Sequence, residues 1–439
     1  MIGSTLSRAR EPLSRGPDPL DRARDPRWVQ EFVSERLLGP DVTLKKLAPI
    51  FTRQKGSDGN LVTYRVELGA GRAELESFVT LRTGPAPRLA SQAARFGEAK
   101  AEWTTPLRPF VLDQDAGVLA LSFPLDRRLP DLRRLLKLRW THDLLARGWV
   151  LPSGTARIRK RKSRLTVASY RPERRAVLRF DAVYGSARAR TEETHTVFMR
   201  LHEDPRWPSA SVTALEALRG QGVSVPRVLA RLAPTLVVES ACPGSPAQGL
   251  ELLDEGRMLA AGLLLSLVHR TPAPDRLPRL TAAAVHARSM RCVAELTQAD
   301  ADLGARAAAL ADRLERIAPT WPGPPVLVHG DLHGGQFLLE DQGLSLIDWD
   351  RAALADPAYD LGTLRANLHY TFGLPGAVAL DTCLSGYEEC SRVPETQGLR
   401  WHEAHALLRL LNSPYRTFAA YWRAETARLL DLVEGVVPC

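Results

Sequence analysis

Lysine is nearly absent from this chain. It occurs at positions 45, 46, 55, 100, 137, 160 and 162 and nowhere later, so arginine carries most of the basic excess behind the net charge of +9. A lysine-poor, arginine- and alanine-rich composition reflects compositional bias better than a nucleic-acid footprint, and no nucleic-acid partner is expected. Cysteine is scarce as well. Cys242, Cys292, Cys383, Cys390 and Cys439 are scattered without CxxC spacing, which argues against a zinc site and against a disulfide framework. No apolar run reaches the roughly 18 residues that span a bilayer. Arginine and proline fill the amino terminus where a signal peptide needs an apolar core. These absences together predict a reduced, cytoplasmic protein with no membrane partner.

What is present is an ordinary globular composition, 44% hydrophobic and 25% charged over 439 residues, enough chain for two or three packed units. Residues 1–25 lack a hydrophobic period and read as a disordered leader. Residues 26–149 read as an accessory α+β domain, with a helix over Pro26–Leu38 and strands over Leu61–Leu68 and Glu74–Leu81. Residues 150–245 carry strand-like alternation at Leu165–Tyr170, Arg175–Tyr184 and His195–His202, then a helix over Ser209–Arg219 and two more strands. From 246 to 439 the chain is Ala/Leu-rich and mostly helical, over Leu250–His269, Thr281–Ile317, 376–390 and 402–433, with the hairpin region interrupting. A sheet-rich lobe, a short hinge and a helix-rich lobe predict a bilobal molecule with a cleft for ligands. Val62–Pro85 and Ala176–Pro205 share a run of strand, turn, strand, basic residue and proline. The accessory domain therefore reads as a degenerate copy of the sheet lobe, as a cap, or as a coincidence of hairpins.

The strongest signal is Val328-His329-Gly330-Asp331-Leu332-His333-Gly334-Gly335-Gln336 followed by Leu346-Ile347-Asp348-Trp349-Asp350. Phosphoryl transfer from ATP needs a base for the accepting hydroxyl and oxygen ligands for magnesium. Phe337–Glu340 and Leu344–Ile347 read as strands joined by a turn at residues 341–343. That hairpin brings Gln336 and Asp348 side by side at its open end, with Asp331 just upstream.

The HGDxxxxQ pattern, with Ile347-Asp348-Trp349-Asp350 and then Asp356-Pro357-Ala358-Tyr359-Asp360-Leu361, resembles the aminoglycoside phosphotransferase/choline kinase superfamily. The resemblance covers residues 150–439. It implies an α+β, bilobal protein-kinase-like fold, with an antiparallel-sheet N-lobe, a helical C-lobe holding the catalytic loop, and here an extra small α+β N-terminal domain. It implies ATP and Mg2+ as cofactors and a hydroxyl-bearing small molecule as acceptor: an aminoglycoside, a sugar or an amino alcohol. Asp331 matches the catalytic base, and Gln336 and Asp348 match the metal ligands, with Gln336 standing where most of the family has Asn. A Gln there, and the extra amino-terminal domain, are similar to features of maltokinases. Asp360 and His329 match residues that shape the catalytic loop.

In protein kinases a strand lysine, paired to a helix glutamate, holds the phosphates. The matching position carries Arg200, with Glu216 as the expected partner. Glu239 and Ala241 fall in the segment resembling the adenine-reading hinge. No glycine-rich loop covers the phosphates; Tyr170-Arg171-Pro172-Glu173-Arg174-Arg175 takes its place, and its arginines offer an alternative cover. The departures at Arg200 and Gln336 motivate a second reading, a nucleotide-binding pseudokinase acting as a regulatory or assembly partner. The acceptor's identity and the oligomeric state are not legible in the chain.

Overall fold

The structure, a computed structural model, describes residues 18–437 except 55, 57, 58, 72, 98–104, 149–156, 186–191, 248, 321, 322 and 342. Most of the expected leader therefore lies outside the described residues. Its last part does not: Pro19–Arg24 is a helix, with Asp18 accepting the Leu20 N–H at 2.8 Å and proline at the first helical position.

The chain divides into two compact units. One takes the described residues up to Leu125 with Arg416–Phe418; the other takes Asp126–Tyr415 and the chain from Ala419 onward. The boundary expected at 149 thus moves to 125. Asp126 and Arg127 belong to the second unit because they bind its first turn. Asp126 Oδ2 accepts the Glu173 N–H at 2.8 Å, and Arg127 Nε donates to Glu173 at 3.2 Å.

The first unit is a five-stranded antiparallel sheet of β1 (Val42–Gln54), β2 (Asn60–Ala70), β3 (Ala73–Thr83), β4 (Phe110–Asp113) and β5 (Val118–Ser122), in the order β1-β2-β3-β5-β4. Alternation along β2 puts Val62, Tyr64, Val66 and Leu68 into its core with Val29, Phe32 and Leu37 of the opening helices.

The second unit begins with a sheet of β6 (Arg157–Ile158), β7 (Arg164–Arg171), β8 (Arg175–Gly185), β9 (Glu192–His202), β10 (Val228–Ala233) and β11 (Leu236–Ser240). Its order is β10-β11-β9-β8, with β6 and β7 both paired to β8. Apart from β6, which has no counterpart, the path β7-β8-β9-β11-β10 follows that of the first sheet. In both, a helix beginning after a proline (Ala86–Ala94 after Pro85, Arg206–Leu218 after Pro205) leads from the third strand to the fourth. In the central strands, Arg82 pairs with Leu61 and Leu119, and Arg200 with Val177 and Val237.

After β11 and the short β12 (Ser245–Pro246) the second unit is helical. Side-chain caps mark the helix starts: Asp254 for Glu255–Arg270, Thr281 for Ala282–Ala299 and Asp300 for Ala301–Arg316. The stretch 281–317, expected as helical, forms two helices divided at Asp300, whose extended backbone (φ −157°) ends one while its carboxylate caps the next. One core joins Ala214, Leu215 and Leu218 of the sheet lobe to Leu265, Phe337, Leu346 and Trp349 of the helical lobe. A second core lies deeper among the helices, around Val293, Leu310, Trp401 and Leu430. Among the described residues no helix is long and apolar enough to cross a membrane.

Candidate active site

Two short ladders build the site. Strand β13 (Val326–Val328) runs into His329, and β16 (Ala353–Ala355) leaves from Ala352; they pair antiparallel, Val328 opposite Ala353. Between them lies the expected hairpin, β14 (Phe337–Glu340) and β15 (Gly343–Leu346), with Phe337 opposite Leu346. The ladder's open end is extended by Ile347 N–H donating to Gln336 C=O at 3.0 Å. Gln336 and Asp348 therefore sit at one edge, as the spacing predicts. The Leu346 N–H also donates to Ser224 C=O at 2.9 Å, which ties the hairpin to the segment entering β10.

The catalytic loop is held from below by Asp360. Its buried carboxylate accepts the His329 N–H at 2.6 Å and the Gly330 N–H at 3.0 Å. Burial acts to raise the Asp360 pKa, but the neighbouring His269 and these N–H groups outweigh it and hold the carboxyl below its ordinary value. His329 is fully buried, with Nε2 2.8 Å from Ile347 C=O, and so links the loop to the far strand. Gly330 has φ +83°, and a Cβ there would meet Arg351 O at 1.9 Å. Only glycine suits that position.

Asp331 emerges from this frame with a half-exposed carboxylate, 3.3 Å from Arg351 Nε. It lines one pocket with Gln336, Asp348, Arg171, Arg174 and Arg175; Trp207, stacked 5.5 Å from the Arg351 guanidinium, completes the wall. Trp207 and Arg351 were not singled out from sequence, and Arg175 was named only among the arginines of its turn. Arg351 had a signal, three positions after Asp348; Trp207 had none, since only folding brings its helix to the loop.

Asp348 adopts the left-handed conformation (φ 70°, ψ 55°), rare for a residue with a side chain. Arg175 grips it with a fork, Nη1 to Oδ1 at 2.8 Å and Nη2 to Oδ2 at 2.9 Å. Arg200 Nη2 donates to the same Oδ1. Arg175 Nη1 also reaches Asp350 Oδ2 at 2.6 Å, and Arg200 lies 2.8 Å from Asp350 Oδ1. Burial would raise the Asp348 pKa, but the two guanidinium charges win and hold it well below the carboxylate range. His202, 3.5 Å from Asp350, is pushed down by burial to about 4 and is neutral at pH 7.

One expectation changes. Glu216 does not pair with Arg200: it lies on the exposed side of its helix, whereas Ser211, Ala214, Leu215 and Leu218 form the buried face. The sheet lobe's acidic partner for Arg200 is Glu239, at 3.8 Å, itself approached by Ser211 Oγ at 3.3 Å. Ala241 follows the end of β11, and its N–H donates to Thr196 C=O at 3.3 Å. The hinge outside the ladders is Cys242–Gly244, between β11 and β12.

The Gln336 amide nitrogen lies 2.9 Å from His333 Nε2, which leaves its oxygen for a cation. Gln336 and Asp348 offer hard oxygen donors, and magnesium is commonly held by one or two such protein ligands plus phosphates. The donor chemistry fits the ion. Among the described residues no group of three His, Cys, Asp or Glu side chains is arranged to hold a metal by itself.

Comparison with known proteins identifies a family. The model of the phosphotransferase enzyme family matches residues 158–402, more than half of the chain. The amicoumacin kinase hAmiN superposes with a TM-score of 0.50 at 12% identity, over 70% of this chain and 96% of its own. The macrolide 2'-phosphotransferase MphH from Brachybacterium faecium gives 0.44 at 20% identity, over 68% and 97%. Choline kinase from Cryptosporidium parvum Iowa II gives 0.49 at 11%, over 68% and 98%. At 12% identity the likeness to hAmiN is one of fold alone. In sequence, the uncharacterized protein YcbJ of Bacillus subtilis (strain 168) is 48% identical over 42 residues, 9% of this chain and only 14% of that protein.

Proposed function

The chain belongs to the phosphotransferase enzyme family and is an enzyme of the small-molecule kinase type, and on that premise we propose that it moves the γ-phosphoryl group of ATP to a hydroxyl of a small molecule. The observation that carries the proposal is the meeting of Asp331, Gln336 and Asp348 in one pocket beneath the arginines of the β7–β8 turn. The acceptor hydroxyl hydrogen-bonds to Asp331 and attacks the γ-phosphorus in line. The bond from that phosphorus to the bridging oxygen breaks, its electrons leave with ADP, and the hydroxyl proton passes to Asp331. Arg171, Arg174 and Arg175 border the same pocket and face the phosphates in place of a glycine-rich loop. Magnesium, held by the Gln336 amide oxygen and the Asp348 carboxylate, would supply charge neutralisation at the phosphates. The acceptor is an aminoglycoside, a sugar or an amino alcohol.

The test is ADP release by the purified protein with a panel of those three classes, with the phosphorylated product identified by mass. Acceptor-dependent ADP from at least one class supports the reading. Nucleotide binding with no transfer to any acceptor, in wild type as in Asp331→Ala, supports the pseudokinase reading, which the arginine pairing of Asp348 favours.

A further inference from the structure

Every oxygen of Asp348 is engaged by a guanidinium of the sheet lobe, and the two arginines responsible are held differently. Arg200 is walled in: its side chain is 10% exposed, with Glu239 on one side and Asp350 on the other. Arg175 is 21% exposed, stands at the head of β8, and lines the pocket that Asp331 shares. The turn before it is fixed. Glu173, with φ +55° and 2% exposure, donates its N–H to Asp126, and Tyr170 OH donates to the same Asp126 Oδ2 at 2.9 Å. Arg171, across the β7–β8 pair from Arg175, lines the same pocket.

Asp348 Oδ1 already takes both arginines, whereas Oδ2 is held by Arg175 alone, so Oδ2 is the oxygen that Arg175 can release to a cation. A guanidinium forked onto Asp348 at 2.8 and 2.9 Å occupies the in-plane lone pairs, and its positive charge repels a divalent cation, which needs oxygen at roughly 2.0–2.1 Å. A nucleotide's phosphates are tetrahedral, yet two of their oxygens can accept the same guanidinium fork, and they carry more charge than a carboxylate. The arginine able to change partners is therefore the one at the pocket's surface.

We propose that Arg175 is an exchange residue: it leaves Asp348 for the phosphates of the incoming nucleotide, and a divalent cation reaches Asp348 only once that exchange has occurred. Arg200 stays on Asp348 and Asp350 throughout as the fixed positioning residue. The inference rests on the nucleotide-binding part of the function proposed above, but not on transfer to any acceptor.

The test uses the full chain, Mn2+ as the probe read by its paramagnetic resonance signal, and no turnover. In the absence of nucleotide, Arg175→Gln should bind Mn2+ about tenfold more tightly than wild type, a gain that Asp348→Asn in the same background removes. In EDTA, the same variant should lose about tenfold in ATP affinity while AMP affinity changes less than about twofold. Arg175→Lys keeps the charge but not the fork, and should fall between wild type and Arg175→Gln in both measurements, which guards against a glutamine variant that folds poorly. Equal Mn2+ affinity in wild type and both variants, or an unchanged ratio of ATP to AMP affinity, would overturn the exchange. Failure to phosphorylate any acceptor would defeat the proposed transfer and leave these binding results to decide the exchange separately.

Discussion

Two aspartates near the site have the same side chain and different work, set by their neighbours. Asp360 is fully buried and acts on the backbone of the loop. Replacing it by alanine leaves two buried N–H groups unpaired, at about 1–3 kcal/mol each. Chemical denaturation should show that loss of stability, along with lost activity. Asp331 is half-exposed, with one contact to Arg351. Asp331→Asn should lower kcat about 100- to 10,000-fold while leaving nucleotide affinity and stability nearly unchanged. Buried histidines set the response to acid. Burial pushes His402 down to about 3 and His405 to about 2, whereas in the unfolded chain both titrate near 6.5. Their folded values are depressed, so the stability tied to them is complete above about pH 6.5 and falls at lower pH, by about 1.4 kcal/mol per pH unit per histidine. Denaturation midpoints at pH 7 and pH 5 should show the decline, and His405→Gln should flatten it; a midpoint independent of pH over that range would contradict it.

At the scale of elements, local sequence and long-range contact divide what was readable. The catalytic loop and hairpin were legible because Gly330, the paired strands and Asp360 all act within about thirty residues. The arginine grip on Asp348 was not, because Arg175 and Arg200 come from strands more than 140 positions earlier. The pairing of Arg200 went to Glu239 and not Glu216 for a comparable reason. The strand lysine–helix glutamate pattern specifies a helix partner, whereas helical periodicity turns Glu216 outward and the adjacent strand supplies the acid. Glu216→Gln should therefore leave nucleotide affinity within about twofold, and Glu239→Gln should weaken it, in the same titration. In the catalytic loop, Gly330→Ala meets Arg351 O at 1.9 Å with φ +83°. It should lose most activity, since relief of that contact moves the backbone that carries Asp331.

The whole molecule carries one sheet topology twice. Arg82, in the central strand of the first sheet, donates to Gln92 at 2.6 Å within its own unit, whereas Arg200, in the central strand of the second, reaches Asp348. The echo in the sequence was readable because strand and proline order is shared; the different contacts of the two arginines were not, because they depend on which side chains each sheet faces. Arg82→Met should cost stability and leave kcat/KM for ATP within about twofold, while Arg200→Met should lower kcat/KM by more than about 100-fold. The central claim is tested most directly by acceptor-dependent ADP formation across the aminoglycoside, sugar and amino alcohol panel, in wild type and Asp331→Asn side by side. The account predicts a phosphorylated product from wild type and at least about a 100-fold loss in the variant with nucleotide affinity retained. Equal rates in the two proteins, or nucleotide binding without any acceptor-dependent ADP, would contradict it.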